Sequence, residues 1–384
     1  MTFNKLNISI KQKISTKKRT QRTQRKQRTQ INPKNQYPLY KNEYKLNISR
    51  IANIIKNMKN QLYTFNNAPT TYKGYPAHKF KTLDINNANA NANGLKENAN
   101  GNNVDTHIKN KKQYYIIKSA WNDNLELNSL TDYFSEPCRI KCNFKYNPSP
   151  LEYWNKNWQS ILASLKKKHQ SPTYHNLHEA LYLHNKACNN FRISVCLEVL
   201  KIFKPKKWLD ISAGWGDRLL SALLYAQIDA QTDKQFQMYC GVDPNPCLHP
   251  YYKEMIKTFD PLGQKEYILL QDGFETAKLP NTKFDLVLSS PPFFDLEIYS
   301  KAISNSLVKY KSEDSWFNGF LMPSLYKAND YLELGGYLVL YMGESQGTKY
   351  IPKMVELMNA KMHNAGMLYY TDGAKIREFF CWKK

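Results

Sequence analysis

No stretch of the sequence approaches the roughly 18 consecutive apolar residues that a membrane-spanning helix needs. The Met1 end lacks the apolar core of a secretory leader, so no signal peptide is expected. Cysteines are few, seven in 384 residues, odd in number and irregularly spaced. That pattern does not read as a disulfide framework, and a soluble protein of a reducing compartment (cytoplasm, nucleus or organelle matrix) is expected. Cys138 and Cys142 form a C-x3-C pair near His169, His175, His178 and His184. A zinc knuckle wants C-x2-C and a second pair to answer it, and both are missing, so no metal is expected.

Acidic residues are scarce in the first half. Residues 1–204 carry 35 basic against 11 acidic side chains, whereas residues 205–384 carry 20 against 21. The entire +23 net charge therefore belongs to the N-terminal half. Residues 1–50 hold 14 basic residues and one acid, Glu43, around the triplets Arg19-Thr20-Gln21, Arg22-Thr23-Gln24, Arg25-Lys26-Gln27 and Arg28-Thr29-Gln30. With almost nothing apolar to bury, this arm is expected to be disordered when alone. A nucleic-acid-binding tail, an organellar transit peptide and compositional drift towards Lys and Asn all fit it. Residues 86–103 are mostly Asn with Ala and Gly and read as a linker inside a poorly defined region, 51–149. Within that region residues 51–62 suggest a short basic helix and residues 114–121 a strand, which together could form a small domain.

Continuous order is expected from about residue 150. Tyr153, Trp154, Trp158, Ile161, Leu162 and Leu165 recur at helical spacing. Further helices are expected over 176–183 and 191–203, completing a helical lead-in, 150–204. From 205 to the end, short apolar runs alternate with helical patterns. Strands are expected at 207–212, 238–243, 267–272, 284–290, 336–342, 367–370 and 377–382. Helices are expected at 217–226, from the Asn245-Pro246 cap onward, at 314–332 and at 351–362. Such alternation predicts an α/β fold: a mostly parallel seven-stranded sheet covered on both faces. The last two strands are separated by too few residues for a parallel crossover, so the final strand should be antiparallel.

The third glycine of the dinucleotide fingerprint is also missing. Gly214-Trp215-Gly216-Asp217-Arg218-Leu219 puts Leu219 where it would stand, which argues against a pyrophosphate loop. The two glycines still imply close approach of backbone to a ligand. Acids end the first three strands: Asp210, Asp243 and Asp272, the last followed by Gly273. In an open α/β sheet ligands sit beyond these strand ends. Asp243 is placed to accept from ribose hydroxyls and Asp272 from an exocyclic adenine amine, although each alone could be a helix cap. The fourth strand runs into Ser290-Pro291-Pro292-Phe293-Phe294-Asp295-Leu296-Glu297. Two prolines there stiffen the backbone and remove two ladder donors, and the aromatic offers a stacking face.

From about Phe191 onward these motifs resemble class I S-adenosylmethionine-dependent methyltransferases, which have a Rossmann-like fold. Within that class the chain resembles the amino-methyltransferases of nucleobases, whose (D/N/S)-P-P-(Y/F/W) motif reads Ser290-Pro291-Pro292-Phe293 here. It is also similar to uncharacterised methyltransferases of large DNA viruses. The resemblance implies S-adenosylmethionine as cofactor, held by Asp210, Ser212, Gly214, Gly216, Asp243, Asp272 and Gly273. It implies that Ser290 and the Pro291 carbonyl bind the target amine while Phe293 stacks on the base, with Asp295 or Glu297 either contacting substrate or structural. Ser at the first motif position is commoner for cytosine N4 than for adenine N6. Residues 298–314 are too short for a target-recognition domain, so the basic N-terminal half is expected to hold DNA or RNA. A protein glutamine methyltransferase and an inactive nucleic-acid-binding subunit are the alternatives.

Overall fold

The computed structural model describes residues 36–58, 62–65, 71–72, 75–76, 80–85, 112–119, 124–229, 236–302, 304–344, 347–373 and 375–384. The triplet-repeat arm up to residue 35 and the Asn-rich linker at 86–103 lie outside these residues.

One ten-stranded sheet organises the molecule. Its strands are β1 (Leu62–Phe65), β2 (Leu83–Asp84), β3 (Lys112–Lys118), β4 (Lys207–Asp210), β5 (Met238–Val242), β6 (Glu266–Leu270), β7 (Phe284–Ser289), β8 (Leu332–Tyr341), β9 (His363–Thr371) and β10 (Ile376–Lys383). Their spatial order is β1-β3-β2-β9-β10-β8-β7-β4-β5-β6. From β9 to β6 every strand is parallel to its neighbours except β10, which is antiparallel to both β8 and β9. The antiparallel final strand is thus as expected from the short turn before it. Strand order reverses between β4 and β7, where Leu286 and Val287 pair with Trp208 and Leu209. That reversal is the switch point at which an open α/β sheet binds ligands.

The sheet has ten strands rather than seven because the N-terminal region extends it. β3 pairs in parallel with β9 from Leu368↔Tyr115 to Thr371↔Lys118, and β2 pairs at Gly366↔Leu83. β9 would otherwise present an open edge of unpaired peptide groups, which proteins cover or blunt. Gly366 makes the cover possible: its φ is +100°, and a Cβ there would lie 1.7 Å from the Thr82 carbonyl oxygen. β3 matches the strand expected at 114–121, but it joins the main sheet instead of a separate small domain; β1 and β2 are too brief for a periodicity to separate them from loop.

Nine helices are used below: α1 (Ile48–Asn57), α2 (Leu130–Arg139), α3 (Pro150–Lys167), α4 (Tyr174–Tyr182), α5 (Ile193–Phe203), α6 (Asp217–Asp229), α7 (His249–Phe259), α8 (Met322–Tyr331) and α9 (Tyr350–Asn359). α3 begins at a capping box in which Ser149 and Glu152 satisfy each other's amides. α7 begins at His249, later than the Asn245-Pro246 cap suggested, because Asn245 Oδ1 accepts from the Cys247 amide and closes a turn first. The stretch at 313–331 is helical but contains a π-turn at Phe317–Leu321 before α8. One face of the sheet packs Leu197 and Leu200 of α5 with Leu220 and Leu223 of α6. The other packs Leu325 of α8 with Met354 and Met358 of α9. A parallel sheet buried on both faces explains strands such as Phe284–Ser289 that are apolar with little alternation.

The end of the basic arm is folded. Tyr37 is buried, with its ring edge-on to Trp154 and His178, and the buried Tyr40 gives its amide to Glu136 at 2.6 Å. Aromatic rings spaced through 36–44 supply the apolar surface that the preceding triplets lack.

A second departure concerns cysteine. Cys138 of α2 and Cys247, after β5, are joined by a disulfide, Cα to Cα 6.1 Å, across 109 residues of sequence. Spacing cannot reveal a pair so far apart, and the C-x3-C motif is thereby split. Among the described residues no cluster of His, Cys, Asp and Glu could hold a metal ion, and no helix is long and apolar enough to cross a membrane. Closing a loop this long should stabilise the oxidised protein by about 2–5 kcal/mol. Thermal unfolding with and without dithiothreitol should therefore differ by several degrees, and Cys138→Ser should abolish the difference; equal midpoints would show that the two thiols are not bonded in solution.

Candidate active site

At the switch point the strand ends are tied together by one carboxylate. Asp210, the last residue of β4, is fully buried. Its Oδ1 accepts from Ser289 Oγ at 2.7 Å and from the Ser212 amide at 3.3 Å. Its Oδ2 accepts from Arg218 Nε and from the Tyr239 hydroxyl, both at 2.8 Å. Ser289 ends β7, Tyr239 lies in β5, and Arg218 stands in the first turn of α6. Arg218 also donates to the Ser212 carbonyl. A buried ion pair is tolerated only with such full hydrogen bonding. Asp210 is consequently occupied by protein groups on both oxygens and shapes the loop, rather than offering a free carboxylate to a ligand.

The loop from Ser212 to Gly216 follows directly. Gly214 and Gly216 have φ of +61° and +97°, conformations that L side chains rarely adopt. A Cβ on Gly216 would also lie 2.7 Å from Met255 of α7. The Gly214 amide donates to Asp243 Oδ2 at 2.9 Å, and its carbonyl accepts from the Tyr252 hydroxyl. Asp243 Oδ1 accepts from the Asn245 amide at 2.9 Å. Burial dominates over these two bonds and raises the Asp243 carboxyl to about 6. Asp217, opening α6, is raised to about 7, again chiefly by burial; it accepts from Thr131 Oγ1 and from the Phe191 amide.

These groups line a cavity of about 820 Å³. Its wall includes Ser212, Gly214 and Asp243 on one side and Ser290, Pro291, Pro292 and Phe293 on the other. The structure thus brings Ser212, Gly214, Asp243 and Gly273 to one cavity with Ser290, Pro291, Pro292 and Phe293, while Asp210 lies buried beneath the loop. Gly216 stands at the start of α6, packed against Met255 and Tyr252 behind the loop. Gly273 is on the cavity wall, followed by Phe274 and Glu275. Asp272 is not among the wall residues: it is exposed, and its Oδ1 accepts from the Gly273 amide and the Thr276 hydroxyl as a local cap. Glu275 stands on the wall in its stead. Its Oε1 accepts from Lys309 Nζ at 2.9 Å, and its Oε2 is buried with no hydrogen-bond partner. The carboxylate three residues further along, in a turn rather than at the strand end, gave no periodic signal.

The Pro-Pro segment is braced from behind. The Phe293 ring lies 5.8 Å from that of Tyr341, and a Cβ on Gly343 would approach it to 3.2 Å. Phe294 takes φ +49°, and its ring packs 5.6 Å from Trp316. Glu297, raised by burial, accepts from the Asn189 amide and the Tyr299 hydroxyl. Asn189 in turn accepts from Trp215 Nε1 of the glycine loop at 3.2 Å. Asn189, Asp217, Arg218 and Glu275 were missed in the sequence. The adjacency of Asp217 and Arg218 to the second glycine, which places them in the first helical turn, was the available signal for those two.

No family model matches the chain, and no curated protein does. Solved structures resemble it in part. TrmN from Thermus thermophilus is 14% identical with a TM-score of 0.35, over 50% of this chain and 49% of that one. An rRNA methylase from Streptococcus thermophilus is 14% identical with a TM-score of 0.34, over 52% of this chain and 99% of that one. A human methyltransferase 10 domain containing protein is 12% identical with a TM-score of 0.34, over 50% and 84%. The chain spans about half the length of TrmN.

The two raised carboxyls have a consequence for stability. Unfolded, each loses its proton near pH 3.9, whereas folded they hold it to about 6 and 7. The native state therefore binds more protons in this window, and their contribution to stability falls as pH rises from about 4 to 7. Asp217→Asn should flatten that fall in urea-unfolding measurements across the window; an unchanged slope would show that Asp217 ionises normally in the fold.

Proposed function

We propose that this chain transfers a methyl group from S-adenosylmethionine to an exocyclic amine of a nucleobase, cytosine N4 or adenine N6, in DNA or RNA. The observation that carries the proposal is the position of Ser290-Pro291-Pro292-Phe293. The motif leaves the carboxyl end of β7, across the switch point from β4, and shares a cavity with the glycine loop and Asp243.

The residues present fit the cofactor. The glycine loop leaves a backbone face free of Cβ atoms, and Gly214 is bonded to the acid that would take ribose hydroxyls. Glu275 Oε2, buried without a partner on the same wall, is an acceptor fit for an exocyclic amine, a role Asp272 is less well placed to fill. Asp243 would bind the ribose, the Ser212–Gly216 backbone the amino-acid end, and Gly273, Phe274 and Glu275 the adenine. S-adenosylmethionine supplies an electrophilic methyl group bound to positively charged sulfur.

The chain's own residues do the remainder. Ser290 Oγ and the Pro291 carbonyl accept the two N–H groups of the target amine, which turns its lone pair out of conjugation with the ring. Phe293, backed by Tyr341, stacks on the base. A base can reach these groups only when unstacked or flipped. Orientation and fixed dipoles, rather than a strong base, then lower the barrier. Glu297 holds the motif's tail to the Asn189 amide and the Tyr299 hydroxyl. The +24 excess of residues 1–204 favours a polyanionic substrate over a protein amide.

Isothermal titration calorimetry should show S-adenosylmethionine binding that Asp243→Ala removes and Ser290→Ala with Pro292→Ala retains. The double variant should lose methyl transfer by at least two to three orders of magnitude, as expected when the positioning of the reacting group is lost. Labelled transfer followed by nucleoside mass spectrometry identifies the base. Full activity in the double variant, or label recovered only in protein, would contradict the proposal.

A further inference from the structure

A short two-stranded ribbon stands beside the proposed catalytic motif. Asn143–Phe144 pairs antiparallel with Glu297–Ile298, in register Phe144↔Glu297 and Asn143↔Ile298. The Lys145 amide donates to the Leu296 carbonyl at 3.0 Å, and the Leu296 amide donates to the Phe293 carbonyl at 3.1 Å. The chain then turns tightly. Lys145 has φ +51°, and the Asn147 backbone and side-chain amides both donate to the Phe144 carbonyl, at 3.0 and 2.9 Å. Asn143 Nδ2 closes the turn on the Asn147 carbonyl at 3.0 Å. Phe144 lines the cavity that holds Ser290–Phe293.

At the tip of this turn Tyr146 is 96% exposed, against 43% for the next most exposed aromatic among the described residues, Tyr63. This turn, closed by three hydrogen bonds, holds a whole aromatic ring out in water with its faces open to stacking. Four lysines come from the segments around it. Lys141 and Lys145 flank the strand, Lys186 lies with its ammonium 5.7 Å from the Phe144 ring, and exposed Lys301 follows the partner strand. The acids nearby are Glu297, buried and fully bonded, Glu152, engaged in the α3 cap, and Asp295.

We propose that Tyr146 is a stacking platform at the mouth of the active site, on which a base flanking the target in single-stranded nucleic acid rests while the lysines hold its phosphates. The proposal rests on the nucleobase reading above and names how the strand is held at that site. An aromatic ring set among lysines is the arrangement by which single strands are bound without sequence readout. Its link to Phe293 through Leu296 makes the flanking and extruded bases neighbours on one rigid ribbon.

The test uses the full chain and fluorescein-labelled single-stranded DNA and RNA of the same mixed sequence, followed by anisotropy at several salt concentrations. Tyr146→Ala should weaken binding roughly ten-fold or more, as loss of one stacked base does, with the salt slope unchanged. Tyr146→Trp should restore it. Lys145→Ala with Lys186→Ala should instead reduce the salt slope. Calorimetry should give the same S-adenosylmethionine affinity for all variants. Wild-type affinity in Tyr146→Ala, or no rescue by Tyr146→Trp, would overturn the platform while leaving the nucleobase reading standing. A wild-type protein that binds S-adenosylmethionine but neither oligonucleotide would overturn both. Preference between the DNA and RNA arms shows which strand the platform serves.

Discussion

The buried carboxylate of Asp210 is the constraint on which the site depends. It ties β4 to β7, the neighbouring parallel strands between which the strand order reverses. One oxygen holds Ser289, the residue before the Pro-Pro motif, and the Ser212 amide at the start of the glycine loop. The other holds Arg218 at the start of α6 and Tyr239 in β5. A carboxylate this deep is stable only because every lone pair has a donor and one donor is a guanidinium. The same four bonds place the glycine loop and the Pro-Pro strand at a fixed separation. The proposed cofactor loop and the proposed substrate motif, built on different strands, thereby share one cavity.

A second layer of contacts closes that cavity from the N-terminal side. The segment between α4 and α5 binds Glu297 through Asn189, accepts Trp215 on the same residue, and gives the Phe191 amide to Asp217. The Arg139 guanidinium beneath it bonds Asp132 and the Cys188 carbonyl. The helical lead-in is therefore a wall of the site rather than an appendage. The disulfide from α2 to the loop after β5 joins this wall to the sheet on the side of Asp243.

The C-terminal sheet was legible because its strands are apolar on both faces and each is punctuated by a helix or a glycine turn. Even the reversed last strand followed from a turn too short to cross over. Of the three added strands only β3 was legible, as the strand expected at 114–121; β1 and β2 span four and two residues, too few for a period to show, and β2 packs where Gly366 opens room beside β9. The site was legible to the extent that chemistry is local in sequence. Gly214, Asp243 and Ser290–Phe293 share one cavity wall, while Gly216 stands behind the loop. Asp210 and Asp272 carry the signature of ligand contacts, yet one is consumed by protein donors and the other caps its own turn. Which acid at a strand end faces a ligand depends on the turn that follows it, and Glu275 reaches the cavity wall only through that turn.

The central claim is that Asp210 couples the two loops. Amide hydrogen exchange of Asp210→Asn against the wild type tests it most directly. The account predicts that amides in Ser212–Gly216 and in the Phe293–Glu297 segment lose protection together, while those of β8 and β9 keep theirs. Loss confined to one loop, or protection unchanged in both, would contradict it.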